Sequence, residues 1–174
     1  MSETLSDVAT GVAVDPALVD RFRTAFRTVA ATVTIVTAAI DGRPVGFTAT
    51  SLTSVSADPP MVSFAVADAA SSWPAIAAAR FVGVHLVDAG SASLAARFAA
   101  RGADRFASPV RWRWTPRWDT PLLLDSAAHL QVEIVNRVAA GDHHIVIGKL
   151  LETTGDFTHE PLIYAQGGYT CLTS

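Results

Sequence analysis

With a single cysteine, Cys171, in 174 residues, this chain cannot close an intramolecular disulfide. A lone thiol without cysteine or histidine companions at ligand spacing also excludes a metal-finger pattern, and a reducing compartment is the default. Lysine is nearly absent: Lys149 stands beside twelve arginines, and no basic block forms. Neither a nucleic-acid footprint nor an anionic-membrane patch is therefore expected. Charged residues make up only 17% of the chain against 50% hydrophobic, with a formal net charge of −3. That balance excludes a disordered polymer and leaves uncharged surface for a subunit interface. No apolar run reaches the roughly 20 residues that cross a bilayer. The opening MSETLSDVATG is acidic and has neither the basic start nor the apolar core of a secretory signal, so a cytoplasmic protein is expected.

What the chain does have is core. Its length suits one domain burying about two thirds of its unfolded surface; residues 1–14 read as a flexible lead-in and 15–174 as that domain. The unusual stretch is Val45 to Ser56, VGFTATSLTSVS, a β-type segment carrying Thr48, Thr50, Ser51, Thr53, Ser54 and Ser56. Hydroxyls on both faces of a strand need partners if either face is buried. Two readings stand: an extended polyhydroxyl ligand ending in a phosphate lies against it, or it is a solvated edge strand.

Asp15 and Pro16 read as N-cap and first position of a helix whose Leu18, Phe22, Ala25, Phe26 and Val29 share one face and pack on a core. Thr32 to Ile40 is strand-like, and Asp41-Gly42 turns it into the hydroxyl-rich strand. After Asp58-Pro59-Pro60, Met61 to Ala67 returns as an antiparallel partner. Ser71 or Ser72 caps a short helix to about Ala79. Phe81 to Val87 is a strand, and Ser91 to Arg101 a helix stopped by Gly102. The stretch from Asp104 to Thr120 has no period and holds Trp112, Trp114 and Trp118, either a loop tucking aromatics over the core or into a partner subunit, or a lid. Two long strands, Ala127 to Val138 and His144 to Thr153, form a hairpin through Ala-Ala-Gly-Asp, and Pro161 to Leu172 closes the chain in extended form. Many strands at short spacing with few helices predict a mainly β small barrel.

His85 in an apolar strand reads as a satisfied core histidine. The His129/Glu133 spacing would share a face only on a helix, so no metal site is expected. Arg97 and Arg101 lie one helical turn apart and read either as anion ligands or as a solvated face. His143 and His144 are adjacent on a strand and must face opposite ways, so only one of them can meet a ligand.

In order along the chain, VGFTATSLTSVSADPPMVSF, SSWPAI, RFVGVHLV, RFAARGADRF, AAGDHHIVIGKL and PLIYAQGGY resemble the short-chain flavin reductase family, the reductase components of two-component flavin-dependent monooxygenases. The resemblance runs from about Phe22 to Tyr169. It implies an FMN-binding split β-barrel of Greek-key type with a few peripheral helices, working as a homodimer. It further implies that NADH or NADPH reduces FMN or FAD, which then reaches a separate monooxygenase. Alternatives from other classes are a non-catalytic flavin carrier or sensor, and a split-barrel flavoprotein oxidoreductase acting on a small organic substrate.

The family pattern carries the ribityl chain and ring onto Thr48, Ala49, Thr50, Ser51, Leu52 and Thr53. It carries the phosphate side onto Ser71, Ser72 and Trp73, with Arg97, Phe98 and Arg101. Nicotinamide binding falls to Gly141, Asp142, His143 and Tyr169, with His143 as the catalytic residue through orientation, and His144 is expected to matter little. Two positions depart from the pattern: Asp68-Ala69-Ala70 before the SSW turn, where relatives often carry Lys or Arg, and His85, where they often carry Asn. Hydride transfer between stacked rings needs no general base, which suits a sequence without a triad or metal cluster.

Overall fold

The computed structural model describes residues 15–172, so the expected lead-in lies outside them. The first helix, α1 (Pro16–Arg27), opens as expected, with the Asp15 carboxylate accepting from the Ala17 N–H at 2.9 Å. Its apolar face does not pack on the core. No α1 residue is buried, and Leu18, Phe22, Phe26 and Val29 are each more than half exposed. Helical period decides which residues share a face, not what covers it.

The strand expected from Thr32 begins as a separate two-residue piece, β1 (Ala31–Thr32), and continues as β2 (Thr34–Ile40). The Asp41-Gly42 turn then leads into β3 (Arg43–Ala49). The single strand expected across Val45–Ser56 is in fact two. After residues 50–52 the chain leaves β2 and restarts as β4 (Thr53–Ala57), which pairs with β5 (Pro60–Ala67). A short helix α2 (Trp73–Ala78), strand β6 (Phe81–Leu86), a 3-10 turn (Ala89–Ser91) and helix α3 (Ala92–Ala99) follow.

The tryptophan-rich stretch contains one regular piece, β7 (Trp112–Trp114), paired with β8 (Pro121–Leu123). Trp112 packs on the core beside Phe106, as the loop reading expected. The hairpin of β9 (Ala128–Ala140) and β10 (His143–Gly155) runs closer to its turn than predicted, and β10 continues two residues past Thr153, while β9 begins one residue later than expected. The terminal stretch is a small hairpin, β11 (Ile163–Ala165) and β12 (Gly168–Thr170), and β11 also pairs with β1.

Seven strands form one antiparallel sheet in the order β3-β2-β6-β9-β10-β5-β4. The sheet curls around a core of Val36, Ala38, Phe64, Val66, Val84, Val132 and Val146, with Ile76 of α2 inserted. A second core of Val33, Ile35, Val87, Ala95, Phe98, Leu123 and Leu162 lies on the other face of β2, under α3 and β8. Because β2 supplies both, Thr34 to Ala38 are all buried, and apolar-polar alternation disappears there.

Most polar side chains between these layers are paired, while His129 Nε2 is buried without a partner among the described residues. Thr37 Oγ1 donates to the Pro121 carbonyl at 2.7 Å and lies 3.0 Å from His85 Nε2. His85 is directly opposite His129 in the β6/β9 ladder, ring centroids 5.0 Å apart. Only glycine fits at position 83, since a Cβ would stand 2.7 Å from Thr37 Oγ1 and 3.0 Å from His129 Nε2. His85 is thus the satisfied core histidine expected. The segment holding His129 and Glu133 is a strand, and Glu133 pairs with Arg80 at 3.0 Å. Among the described residues no group of three or more His, Cys, Asp or Glu could hold a metal ion, and no helix is long and apolar enough to cross a membrane.

Burial, reinforced by the neighbouring His129, holds the His85 imidazole well below its usual range, and burial first, then Arg113, lowers His129 from 6.5 to about 4. A histidine whose folded pKa lies below its unfolded value costs stability only where the unfolded chain takes up the proton. Stability is expected to be complete above pH 6.5 and to fall as the pH drops toward 4, with His129 contributing on the order of 3 kcal/mol over that window. Urea denaturation between pH 7.5 and pH 4 checks this, and His129→Gln should flatten the slope.

Candidate active site

The site is built where the chain changes partners. At Ala49 it is still paired with β2; by Thr53 it is paired with β5. Between them Ser51 carries the ladder with its side chain, Oγ accepting from the Ala65 N–H at 2.8 Å. Without it the β5 edge would lose a backbone partner at that point. Two of the six hydroxyls in this stretch, those of Thr48 and Ser51, are therefore used by the fold itself. Thr48 Oγ1 donates to the Ala95 carbonyl at 2.6 Å and pins α3, and Thr34 Oγ1 donates to the Ala49 carbonyl at 3.1 Å.

Helix α3 can lie this close to β3 because position 46 is glycine. A Cβ there would meet Phe98 Cε1 at 2.8 Å and the Val36 carbonyl oxygen at 3.1 Å. Past α3 the chain turns through Gly102 and brings Arg105 back against the same strand. Its guanidinium donates to the Gly46 carbonyl at 2.8 Å and the Ala100 carbonyl at 2.9 Å. Arg105 Nε is buried without a partner, and burial lowers this guanidinium from its ordinary pKa.

Three walls then enclose a cavity of about 610 Å³: Phe47 to Ser51, the end of β5 with the turn Ala69 to Ser72, and Phe98 to Arg105, with His143 at the rim. Ser72 is 1% exposed, and its hydroxyl has no partner. It occupies the N-cap position of α2 but makes no side-chain capping bond, contrary to the expected cap. Neither Arg101 nor Arg105 has a carboxylate within ion-pair distance among the described residues. A smaller cavity of about 220 Å³, bounded by Pro44, Val45 and Phe106, adjoins the first and shares Ser71 and Arg105 with it.

Of the residues named from sequence, Thr48, Ala49, Thr50, Ser51, Ser71, Ser72, Phe98, Arg101 and His143 line this cavity. The others do not. Leu52 packs on the first core, and Thr53 is exposed at the start of β4. Arg97 points elsewhere, its Nε and Nη2 donating to the Asp104 carbonyl at 3.1 and 2.8 Å, so it braces the loop. Trp73 stacks on His144 with ring centroids 3.9 Å apart. Gly141 and Asp142 make the β9-β10 turn, where the Asp142 carboxylate lies 2.7 Å from His143 Nδ1, a bond that lowers the Asp142 pKa. Tyr169 is half-buried against the second core, edge-on to Tyr164.

Sequence reasoning missed Arg105, Phe47 and the run Ala65 to Ala67. Arg105 stood inside the matched RFAARGADRF, but helical spacing drew attention to Arg97, which shares a face with Arg101 only within a helix. In fact α3 ends at Ala99.

An independent match comes from comparison with known proteins. The model of the Flavin reductase like domain family matches residues 26–173. The chain belongs to this family. An NADH:FMN oxidoreductase of Rhodococcus qingshengii is 37% identical over 152 residues, 85% of this chain and 79% of that protein. The reductase subunit HsaB of a flavin-dependent monooxygenase from Rhodococcus jostii is 33% identical over 171 residues, 98% and 85%. Among solved structures, a flavin reductase domain protein from Arthrobacter sp. FB24 superposes with a TM-score of 0.83 at 37% identity, covering 89% of this chain and 96% of that one. The NADH:FAD oxidoreductase SgcE6 of Streptomyces globisporus, in complex with NAD and FAD fragments, gives 0.84 at 29%, covering 94% and 98%. The mainly β split barrel expected from the resemblance is the family's fold.

The close approach at Gly46 yields a direct test. Gly46→Ala forces a buried phenyl ring and a strand apart and is expected to lower stability by about 1–3 kcal/mol, as overpacking does. Urea denaturation measures the loss, and adding Phe98→Leu should recover part of it.

Proposed function

We propose that this protein is an NADH-dependent flavin reductase that reduces FMN or FAD and releases the reduced flavin to a partner monooxygenase. One observation carries the reading. Two buried donors without partners among the described residues, Ser72 Oγ and Arg105 Nε, together with Arg101, which has no carboxylate in ion-pair distance among them, line one cavity at the open seam of the barrel. Buried donors left unmatched are costly, and an anion with several acceptor oxygens matches all three. A flavin phosphate is such an anion, so the residues present fit the cofactor.

When bound, the flavin supplies the hydride acceptor. The protein's own residues bind, orient and exclude water. Ser71, Ser72, Arg101 and Arg105 hold the phosphate end, Thr50 is left to meet the ribityl hydroxyls, and Phe47 with Ala65 to Ala67 gives the ring an apolar bed. His143 sits at the rim, with Nδ1 2.7 Å from the Asp142 carboxylate. The carboxylate accepts a hydrogen bond from the Nδ1–H and so orients the ring, leaving Nε2 to meet the carboxamide of a nicotinamide. No residue has to move a proton during direct hydride transfer. A carrier or sensor would share the cavity but not this oriented rim histidine.

The working unit is a homodimer. Leu18, Phe22 and Phe26 of α1, Val29 just beyond it, and Val135 and Ile145 on the outer face of the β9-β10 hairpin are apolar side chains left exposed among the described residues. A reducing cytoplasm fits the free, exposed Cys171.

Anaerobic titration with NADH in the presence of FMN, and separately FAD, should bleach the oxidised flavin absorbance catalytically; no bleaching with either sinks the assignment. His143→Ala should raise the KM for NADH with flavin affinity nearly unchanged, and a collapse of flavin affinity instead would show that the roles are misplaced. Light scattering should give twice the chain mass, and Phe22→Glu with Phe26→Glu should shift it toward the monomer. A fully active monomer would refute the dimer.

A further inference from the structure

We propose that His144 is a positioning residue: its imidazole grips both ends of the turn that presents Ser71 and Ser72 and so sets where those hydroxyls stand in the cavity. The proposal rests on the reading of that cavity as a flavin site. Alternation along β10 sends His143 to the rim and His144 to the opposite, inner face, where little consequence was expected of it. The inner face is where the turn is anchored.

Two contacts define the grip. At the start of the turn, Asp68 Oδ1 lies 2.6 Å from His144 Nδ1, a hydrogen bond with the ring N–H donating. At its end, the Trp73 indole lies face to face on the same imidazole, centroids 3.9 Å apart and planes 19° from parallel. A backbone bond from the Asp68 N–H to the Asp142 carbonyl, 3.0 Å, ties the start of the turn to the β9-β10 hairpin a second time.

Between these ends lie Ala69, Ala70, Ser71 and Ser72. The alanines have no polar side chain, and the Ser72 hydroxyl is buried without a partner. The segment is shaped by two backbone bonds, Ala70 N–H to Ala67 and Trp73 N–H to Ala70. Nothing in the serines' own side chains fixes their depth in the cavity. Their placement follows from the two ends, and one side chain touches both, beside the packing of Ala70 and Trp73 on the first core.

Magnitudes separate this role from a structural one. The His144 and Asp68 side chains are 23% and 49% exposed. A pair that open to water adds little to global stability. Anion recognition depends instead on donor positions to within about half an ångström. Loss of the grip is therefore expected to appear in phosphate binding and hardly in unfolding.

The test compares His144→Ala, His144→Phe and Asp68→Asn with the wild type, reading FMN and riboflavin dissociation constants and the urea midpoint. His144→Ala should weaken FMN about ten-fold, the loss of roughly one charge-assisted hydrogen bond, with riboflavin held within about two-fold. His144→Phe keeps the stack and should recover part of the loss. Asp68→Asn keeps the side-chain shape and should fall between wild type and His144→Ala, which keeps the proposal testable if His144→Ala folds poorly. Unchanged FMN affinity in His144→Ala and Asp68→Asn, or equal weakening of FMN and riboflavin, overturns the role of His144. Failure of the wild type to bind either flavin overturns the proposed function instead.

Discussion

A strand that changes partners must keep its neighbours hydrogen-bonded through the change, and in this protein one serine hydroxyl does so. Ser51 Oγ takes the Ala65 N–H at the point where β3 has ended and β4 has not begun. The gap between those strands is the open seam of the barrel, and it is the mouth of the cavity. Closing it with a continuous strand would satisfy the backbone equally well and leave no room for a ligand. Where the fold is split, a side chain stands in for a ladder bond.

The far wall depends on a second local condition, the absence of a side chain at Gly46. Phe98 then settles against β3, Thr48 fastens α3 through the Ala95 carbonyl, and the returning loop lays Arg105 across the Gly46 carbonyl. Each contact fixes the next, so an arginine six residues beyond the end of α3 becomes a wall of the cavity while Arg97, inside the helix, turns away to the Asp104 carbonyl. Arg105 lies next to neutral carbonyls, with no carboxylate in ion-pair distance among the described residues. Such an arrangement favours an incoming anion over a structural ion pair.

The interior places its polar groups under the opposite rule. Thr37, His85, Thr120 and Gln131 are buried and bonded to one another or to backbone. They stabilise the junction between the two cores without reaching the cavity. The contrast with Ser72 and Arg105 is informative: donors left unmatched among the described residues gather mostly at the cavity, while those elsewhere are nearly all paired.

Local chemistry was legible in the sequence wherever neighbours along the chain decide it. The Asp15 cap, the Asp41-Gly42 and Gly141-Asp142 turns, the long β9-β10 hairpin and the opposite facing of His143 and His144 all follow from adjacent residues. So does the strand rather than helical state of His129 and Glu133. The ordered set of motifs also pointed to the family, and most of the hydroxyl and SSW residues do line the cavity. Only the tertiary structure decided what non-local contact supplies. It broke Val45–Ser56 into two strands, because β2 begins at Thr34, opposite Ala49, and the chain beyond that point pairs with β5 instead. It spent Thr48 and Ser51 on the backbone, exchanged Arg97 for Arg105, and left the α1 face exposed among the described residues. A sequence records which groups need partners; which partner each one finds depends on what the rest of the chain brings within three ångströms.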